Sequence, residues 1–442
     1  MRLCSLLLLA MASFSLSADW LAGLTAYEKQ DFARAKTEFS QLLPLGNGKA
    51  AFNLGVMAYY GEGQAPDLVE ALSYFMLASE FQHPQADDIL ARLQQEATAE
   101  QRRQAQALAE QAQQALVIKT DFRPYRFTEE HPPAALSTPM PNIPDDVHRK
   151  HPFGYIVLRY LVDGEGRVQV VDTVDAFPED AFDSYTFRTM RRWQYEATGK
   201  QHLMTKQINF WVRGAMTGRQ ANQLLNHQNL WDYAQAGAPR YQEMLGSVLN
   251  LIDIVADGLL VIDRQLPLDE KAPDLTELFR QQQLRFLLPS FVGSVEVQTN
   301  DKGEIVRVIQ GRLLQSPTAD ELIGERIRGA KAGWYSLSRA TRRDTATVQH
   351  YLPMSNAMNP WYWWNEAAVN GDRTAQRILG AKREDWQFYL LQQQDPVSKA
   401  WHGARLILDG ETAEGQTLLQ QAASAGYSQA AELLQALLPQ NI

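Results

Sequence analysis

Met190-Arg191-Arg192-Trp193-Gln194-Tyr195-Glu196 closes a series of patterned runs that begins at Gly154 and ends at Val212. Upstream, residues 155–162 carry Ile156, Leu158, Tyr160 and Val162 at every second position, the period of a strand that buries one face. Asp163-Gly164-Glu165-Gly166 follows as turn chemistry, and 168–174 is a second, valine-rich run, so the pair predicts a hairpin. Past residue 179 the period lengthens, and Phe182, Tyr185, Thr189, Met190 and Trp193 fall on one helical face. That helix is expected to pack on the hairpin. Residues 207–212 return to alternation, with Ile208, Phe210 and Val212 on one side. Hairpin, helix and closing strand make an α+β unit of roughly 60–80 residues around one core.

This order resembles the C-terminal domain of the TonB family of bacterial energy transducers. The family has a proline-rich approach, a glycine before the first strand, an Asp-Gly-type turn, and Trp-x-aromatic near the helix end. Here Pro139, Pro141 and Pro144 are followed by Gly154, Asp163 with Gly164, and Trp193 with Tyr195. Ala197 stands where the family commonly closes the motif with proline. The resemblance implies recognition of a short extended motif of outer-membrane receptors, added as a strand to a sheet edge so that main-chain bonds supply affinity. It places that edge on the last strand: Lys206, Gln207, Ile208, Asn209, Phe210, Trp211 and Val212.

A second grammar flanks this unit. Gly46, Ala50 and Leu54-Gly55 recur in phase as Gln82, Ala86 and Leu90, a spacing near the 34-residue period of stacked helix pairs. The region resembles Sel-like repeats of the tetratricopeptide class, with Tyr74-Phe75 and Ala78-Ser79 at packing positions and Gly61-Glu62-Gly63 as the inter-helix loop. Trp363-Trp364, Ala367-Ala368, Gly371, Ala375 and Leu379-Gly380 repeat it, as do Leu418-Leu419, Ala422-Ala423, Gly426, Ala430 and Leu434. Small residues let such helices approach closely, and glycine opens the turn between them. A weaker copy lies at Gly237, Tyr241 and Leu245-Gly246, after Trp231.

The middle of the chain also echoes itself. Gly293 precedes a run with Val295 and Val297, Asn300-Asp301-Lys302-Gly303 is a turn, and 305–309 is a second strand. Ser316-Pro317 then opens an expected helix with Ala319, Leu322, Ile323 and Ile327 on one face, followed by Gly333-Trp334-Tyr335 and a strand over 345–352. Trp334 is the expected counterpart of Trp193 in a second, diverged hairpin unit.

The chain has 442 residues, 45% hydrophobic and 21% charged, an ordinary globular composition with room for several domains. Residues 1–18 combine Arg2, an apolar core at 6–9 running on to Phe14, and small Ser15, Ser17 and Ala18, which reads as a secretory signal peptide and implies a periplasmic protein. An uncleaved inner-membrane anchor is the alternative, although the apolar run is shorter than the ~20 residues of a spanning helix. Cys4 is the single cysteine and is expected to leave with the signal, which excludes a disulfide framework and a thiol nucleophile. The formal charge of −9 argues against nucleic acid and anionic lipid as partners.

No glycine-rich phosphate loop or Gly-x-Ser-x-Gly elbow is present. His148 and His151 with Asp145 and Asp146 match no standard metal spacing and read as a polar loop; Asp163 and Glu165 belong to their turn. No cofactor, metal or catalytic residue is expected. Of the aromatic run 361–364, Trp363 and Trp364 fall on core positions, whereas Trp361 and Tyr362, with Trp386 and Trp401 nearby, are candidate anchors for a partner segment in a repeat groove.

The expected fold is multidomain α and α+β: a signal peptide at 1–18, Sel-like helices at 19–118, a proline-rich linker at 119–150, the TonB-like unit at 151–215, a helical connector at 216–285, a second diverged unit at 286–354 and further Sel-like helices at 355–442. The expected function is a non-enzymatic adaptor of the cell envelope linked to TonB-type transmembrane transport, binding outer-membrane receptors or envelope complexes. The alternatives are an inner-membrane-anchored energy transducer, which the resemblance would couple to the ExbB and ExbD complex, and an envelope enzyme carrying these modules as accessories.

Overall fold

The structure, a computed structural model, describes residues 19–118, 132–211, 216–256, 260–263, 265–276, 279, 291–313, 318, 320–341 and 347–438. The signal-like segment 1–18, residues 119–131 and Val212 lie outside them. The architecture is multidomain α and α+β, with helical arrays toward both ends and two α+β units between, which hold three small sheets among the described residues.

The N-terminal array comprises α1 (Trp20–Glu28), α2 (Phe32–Leu42), α3 (Gly48–Tyr60), α4 (Leu68–Glu80), α5 (Ala86–Glu96) and α6 (Ala99–Gln114). Side chains start most of these helices: Asp19, Asp31, Asn47 and Asp67 each accept from first-turn amides, and Thr98 with Gln101 forms a capping box. Each such cap contributes about 1 kcal/mol. Ala50, Ala51, Ala71 and Ala78 are fully buried, so the repeat alanines are helix–helix contacts.

The described helices between the two α+β units are α9 (Gly218–Leu225), α10 (Leu230–Gln235) and α11 (Pro239–Ala256). The C-terminal array comprises α12 (Pro360–Val369), α13 (Arg373–Gly380), α14 (Glu384–Gln392), α15 (Pro396–Leu408), α16 (Thr412–Ser424) and α17 (Ser428–Leu437). The two arrays share one core, in which Trp20, Phe39 and Leu54 pack with Trp364, Ala367, Ile378 and Trp386. Asn47 fixes the seam, donating to the Val369 carbonyl (3.0 Å) and to Asn370 Oδ1 (2.9 Å), and Asn370 donates in turn to Gln242 on α11 (2.8 Å). Helices some hundreds of positions apart thus meet as neighbours.

The first α+β unit contains β1 (Ala135–Ser137), α7 (Asp145–Lys150), β2 (Phe153–Val162), β3 (Val168–Phe177), α8 (Asp183–Met190), β4 (Gln194–Tyr195) and β5 (His202–Trp211). Its main sheet has the order β3-β2-β5, antiparallel throughout, while β1 pairs with β4. Two expectations need correction. The segment assigned to a linker contributes structure over its described part: β1 pairs with β4, Ile143 is buried in the core, and the Pro139 carbonyl accepts from Trp193 Nε1 (2.9 Å). Prolines stop regular helix there, yet each still offers a carbonyl. The helix also ends at Met190, so Trp193 lies beyond it in a turn, with Tyr195 on β4. Thr186 and Thr189 bond back to the Phe182 and Tyr185 carbonyls, a competition that weakens a short helix.

The second unit has β6 (Leu260–Ile262), β7 (Gly293–Thr299), β8 (Ile305–Leu313), β9 (Gly333–Arg339) and β10 (Thr347–Met354), in the order β6-β10-β9-β7-β8. In place of the expected helix, the described residues show a 3₁₀ turn at Asp320–Leu322; Ala319 lies outside them. Leu322 and Ile327 are buried but Ile323 is 51% exposed, and Gly324 at φ +89° carries the chain out of the turn. Trp334 is not the counterpart of Trp193, because it sits within β9, paired with Gln298 and Tyr351.

The two hairpin turns nevertheless match bond for bond. Asp163 Oδ1 accepts from the amides of Glu165 (3.0 Å) and Arg167 (2.8 Å), and Asn300 Oδ1 accepts from those of Lys302 and Glu304 (both 3.0 Å). The Gly166 carbonyl accepts from the Tyr195 amide, and the Gly303 carbonyl from the Ile327 amide, both at 2.8 Å. Isolated bridges Arg167–Gln194 and Glu304–Arg326 occupy the same place. Ile327 therefore stands where Tyr195 does, and Glu325 where Trp193 does.

Candidate partner-strand edge of the first sheet

The last strand, β5, is assembled by two glycine-dependent contacts. A Cβ on Gly154 would lie 2.3 Å from the Phe182 ring and 2.5 Å from the Phe177 carbonyl, so glycine lets α8 close on β2. Phe182 in turn stacks on Phe210 of β5, with ring centroids 4.4 Å apart. Gly166, at φ +80°, is pressed against the Tyr195 carbonyl, which a Cβ would meet at 2.1 Å. Tyr195 and Tyr160 share a 2.6 Å hydroxyl hydrogen bond, and Trp193 packs edge-on to Tyr160. Trp193 and Tyr195 are therefore core residues that hold the hairpin to β4.

On that frame β5 alternates only over 207–211, since 202–204 are buried in a row and 205–207 exposed in a row. Met204, Ile208 and Phe210 are buried on the α8 side, while Lys206 and Gln207 are exposed and Asn209 is half-buried. Trp211 is 51% exposed at the strand end. Gln207 donates to Asn209 Oδ1 (2.9 Å) along the opposite face. β2 pairs with β5 along its whole length, from Phe153 opposite Trp211 to Val162 opposite His202. No other strand of the described residues pairs with β5, and no backbone hydrogen bond from 206–211 to any other segment is found among them. The six expected edge residues 206–211 thus lie on an outer strand; Val212 is outside the described residues.

The other outer strand is enclosed. β3 packs against α11, α13 and α17, and a cavity of about 350 Å³ lies between its 172–177 edge and helices α11, α13 and α15. Ion pairs line it. Arg159 and Asp172 form a buried pair (2.6 Å), Arg377 binds Asp395 (2.7 Å), and Arg240 binds both Glu243 and Glu179. Asp175 accepts from the Tyr155 hydroxyl (2.7 Å) and from Ser247 of α11 (3.3 Å). Burial pushes the Asp175 carboxyl up to about 6, against the pull of those hydrogen bonds and of Lys382. Burial likewise pushes Glu243 up to about 8, with Arg240 opposing. The Asp175–Ser247 and Glu179–Arg240 contacts tie the β3 side of the unit to α11.

The remaining candidates fall elsewhere. Asp163 and Glu165 sit in the turn, and His148 and His151 on or just after α7, with His151 edge-on to Phe182. No cluster of metal-ligating residues occurs among the described residues. Trp386 and Trp401, expected beside the anchor candidates, are fully buried: Trp386 fills a core between helices and Trp401 a core between α15 and the first sheet. Tyr362 packs against the core around α11, whereas Trp361 is 40% exposed with Lys382 Nζ 4.8 Å over its ring. Sequence reading missed the Arg159–Asp172–Trp401 cluster, although charges inside the apolar runs 155–162 and 168–174 were its signal.

No helix among the described residues is long and apolar enough to cross a membrane. No family model and no curated protein matches the chain. Among solved structures, the solution NMR structure of the Pseudomonas aeruginosa TonB CTD is similar over 22% of this chain and 93% of its own, at 17% identity and a TM-score of 0.17.

Proposed function

We propose that this chain is a non-enzymatic, TonB-like adaptor of the bacterial periplasm, exported by its N-terminal segment, that binds an extended segment of an envelope protein along β5. The observation that carries the reading is the position of β5: it is an outer strand with its 206–211 backbone unpaired on one side among the described residues, while β3 is walled in by helices. Such an edge is a template for a further strand, with main-chain bonds giving affinity and alternate side chains giving selectivity. The motif residues Gly154, Asp163, Gly164, Trp193 and Tyr195 support the family assignment, since each has a structural task in holding that sheet. The helical arrays would present the sheet and add a docking surface, in keeping with repeat proteins generally.

An outer-membrane receptor of TonB-dependent type is the partner that the resemblance favours, which would link the protein to transmembrane transport. A photo-crosslinker at Asn209 in envelope preparations, with N-terminal sequencing of the mature protein, tests this. Adducts to an envelope protein and a new N-terminus near Asp19 are expected. Adducts confined to the chain itself would refute strand addition, and a retained residue 1 would favour the anchored transducer.

A further inference from the structure

The second unit shows what a filled edge looks like in this chain. Its hairpin aligns with the first through the shared turn: Thr299 pairs with Ile305 across a register shift, as Val162 pairs with Val168. Counting from there, Val297 of the central strand matches Tyr160. Val297 pairs with Tyr335 of β9, and Tyr160 pairs with Met204 of β5, each on the strand that flanks the centre opposite the hairpin. β9 is thus the equivalent of β5, with Tyr335 at the place of Met204, Leu337 at that of Lys206 and Ser338 at that of Gln207. The outer side of β9 is occupied by β10, running antiparallel from Thr347 opposite Ser338 to Tyr351 opposite Trp334. β6 then covers β10 in parallel, from Leu260 opposite Leu352.

We infer that the two units form an open and a closed copy of one strand-accepting device. β10 is a built-in occupant that closes β9, and the partner of β5 enters in the same antiparallel sense and register. This rests on the reading of β5 as a pairing edge, and adds to it the direction of the partner and the exclusion of the second unit. The chemistry at the two edges differs at one informative position. Val348 of β10 lies opposite Leu337, and the corresponding residue of β5 is the exposed Lys206. A partner strand with a carboxylate opposite Lys206 gains a cross-strand ion pair that β10 has no need of. The fitted occupant is therefore an extended segment of another protein with an acidic residue at that place. The closed copy stays shut because β10 is tethered, at an effective concentration that free peptide does not match.

Disulfide trapping in the full chain tests direction and occupancy together, in a Cys4→Ser background. The probe is a ten-residue peptide of the 345–354 sequence carrying glutamate in place of Val348 and one cysteine, at the position of Thr345 or of Thr347. Antiparallel addition in this register predicts that Asn209→Cys traps the Thr345-position peptide and Gln207→Cys the Thr347-position peptide, about tenfold faster than the exchanged pairs. Ser338→Cys on the closed copy is expected to trap neither. Preference for the exchanged pairs means parallel addition and overturns the inference while leaving strand addition itself standing. Equal slow trapping at every site overturns both. A disulfide-linked dimer at Asn209→Cys in place of peptide adducts would show that a second copy occupies the edge, and would overturn the hetero-partner. Restoring valine at the Val348 position is expected to slow trapping at Gln207→Cys severalfold; an unchanged rate would remove Lys206 from the recognition.

Discussion

Arg159 and Asp172 face each other across the β2–β3 ladder, and their 2.6 Å ion pair is closed by the indole of Trp401, which donates to Asp172 Oδ2 at 3.1 Å and lies 4.9 Å from the Arg159 guanidinium. The cluster joins the first sheet to α15 and α17, because Leu161, Val170 and Leu203 share a core with Trp401 and Leu433. Removing one charge leaves its partner buried and uncompensated, at a cost of about 3–5 kcal/mol. Asp172→Asn is therefore expected to lower the urea midpoint strongly, and the double change Arg159→Met with Asp172→Leu to lower it less than Asp172→Asn alone. Equal losses would show that the pair has no special coupling.

Three glycines separate space from backbone freedom. Gly166→Ala puts a Cβ 2.1 Å from the Tyr195 carbonyl at φ +80°, whereas Gly199→Ala, at φ +71°, meets nothing within 4 Å. The second is expected to cost about 1 kcal/mol from strain alone, and the first at least about 2 kcal/mol more through the clash. Gly154→Ala should resemble Gly166→Ala, because the Phe182 ring and the Phe177 carbonyl both stand in the way. Thermal unfolding of the three variants gives the ranking directly.

The buried acids set a direction for pH. Asp175, pushed up to about 6 by burial, and Glu243, pushed up to about 8, bind protons more tightly folded than unfolded. Their contribution to stability is fully present below the unfolded values near 4 and is lost as pH rises through about 6 and about 8. Burial also acts on Asp163 and Asp395, but Arg167 and Arg377 outweigh it and hold these carboxyls below their usual value, so their contribution falls away only in stronger acid. Urea unfolding at pH 4.5, 6 and 7.5 should show stability falling across the series. Asp175→Asn should flatten the first interval; a rise in wild-type stability over the series would show that other groups dominate.

The aromatic run divides by burial. Trp386→Ala empties a fully buried site between the two arrays and is expected to cost about 3–5 kcal/mol. Trp361→Ala, half in solvent beside Lys382, should cost less than about 2 kcal/mol. Denaturant titration of both measures the difference.

The period-2 runs and the alanine spacing of the repeats were legible because each marks one apolar face, although β2 proves buried on both: Ile156, Leu158, Tyr160 and Val162 face α8, while Tyr155 and Leu161 enter cores shared with other helices. Hairpin turns were legible too, since Asp163 and Asn300 cap their own backbone. What escaped the sequence depends on partners far along the chain. β1 finds β4 through residues that look like linker, and α12 packs beside α1 although hundreds of positions intervene. The counterpart of Trp193 was misplaced at Trp334 because an aromatic is more visible than a backbone bond; the feature the two units share is the amide of Tyr195 on the Gly166 carbonyl and that of Ile327 on the Gly303 carbonyl. The reading of β5 as a pairing edge came from the family resemblance, whereas nothing in the sequence pattern pointed to the closure of β9 by β10.

Hydrogen–deuterium exchange of the free full-length chain, read residue by residue along β5 and β9, tests most directly whether one edge is open and its copy closed. Alternate amides within 206–211 should exchange about a hundredfold faster than their neighbours, and the 334–338 amides of β9 should be uniformly slow. Uniform protection along 206–211 would mean that β5 is already covered, and would contradict the open edge.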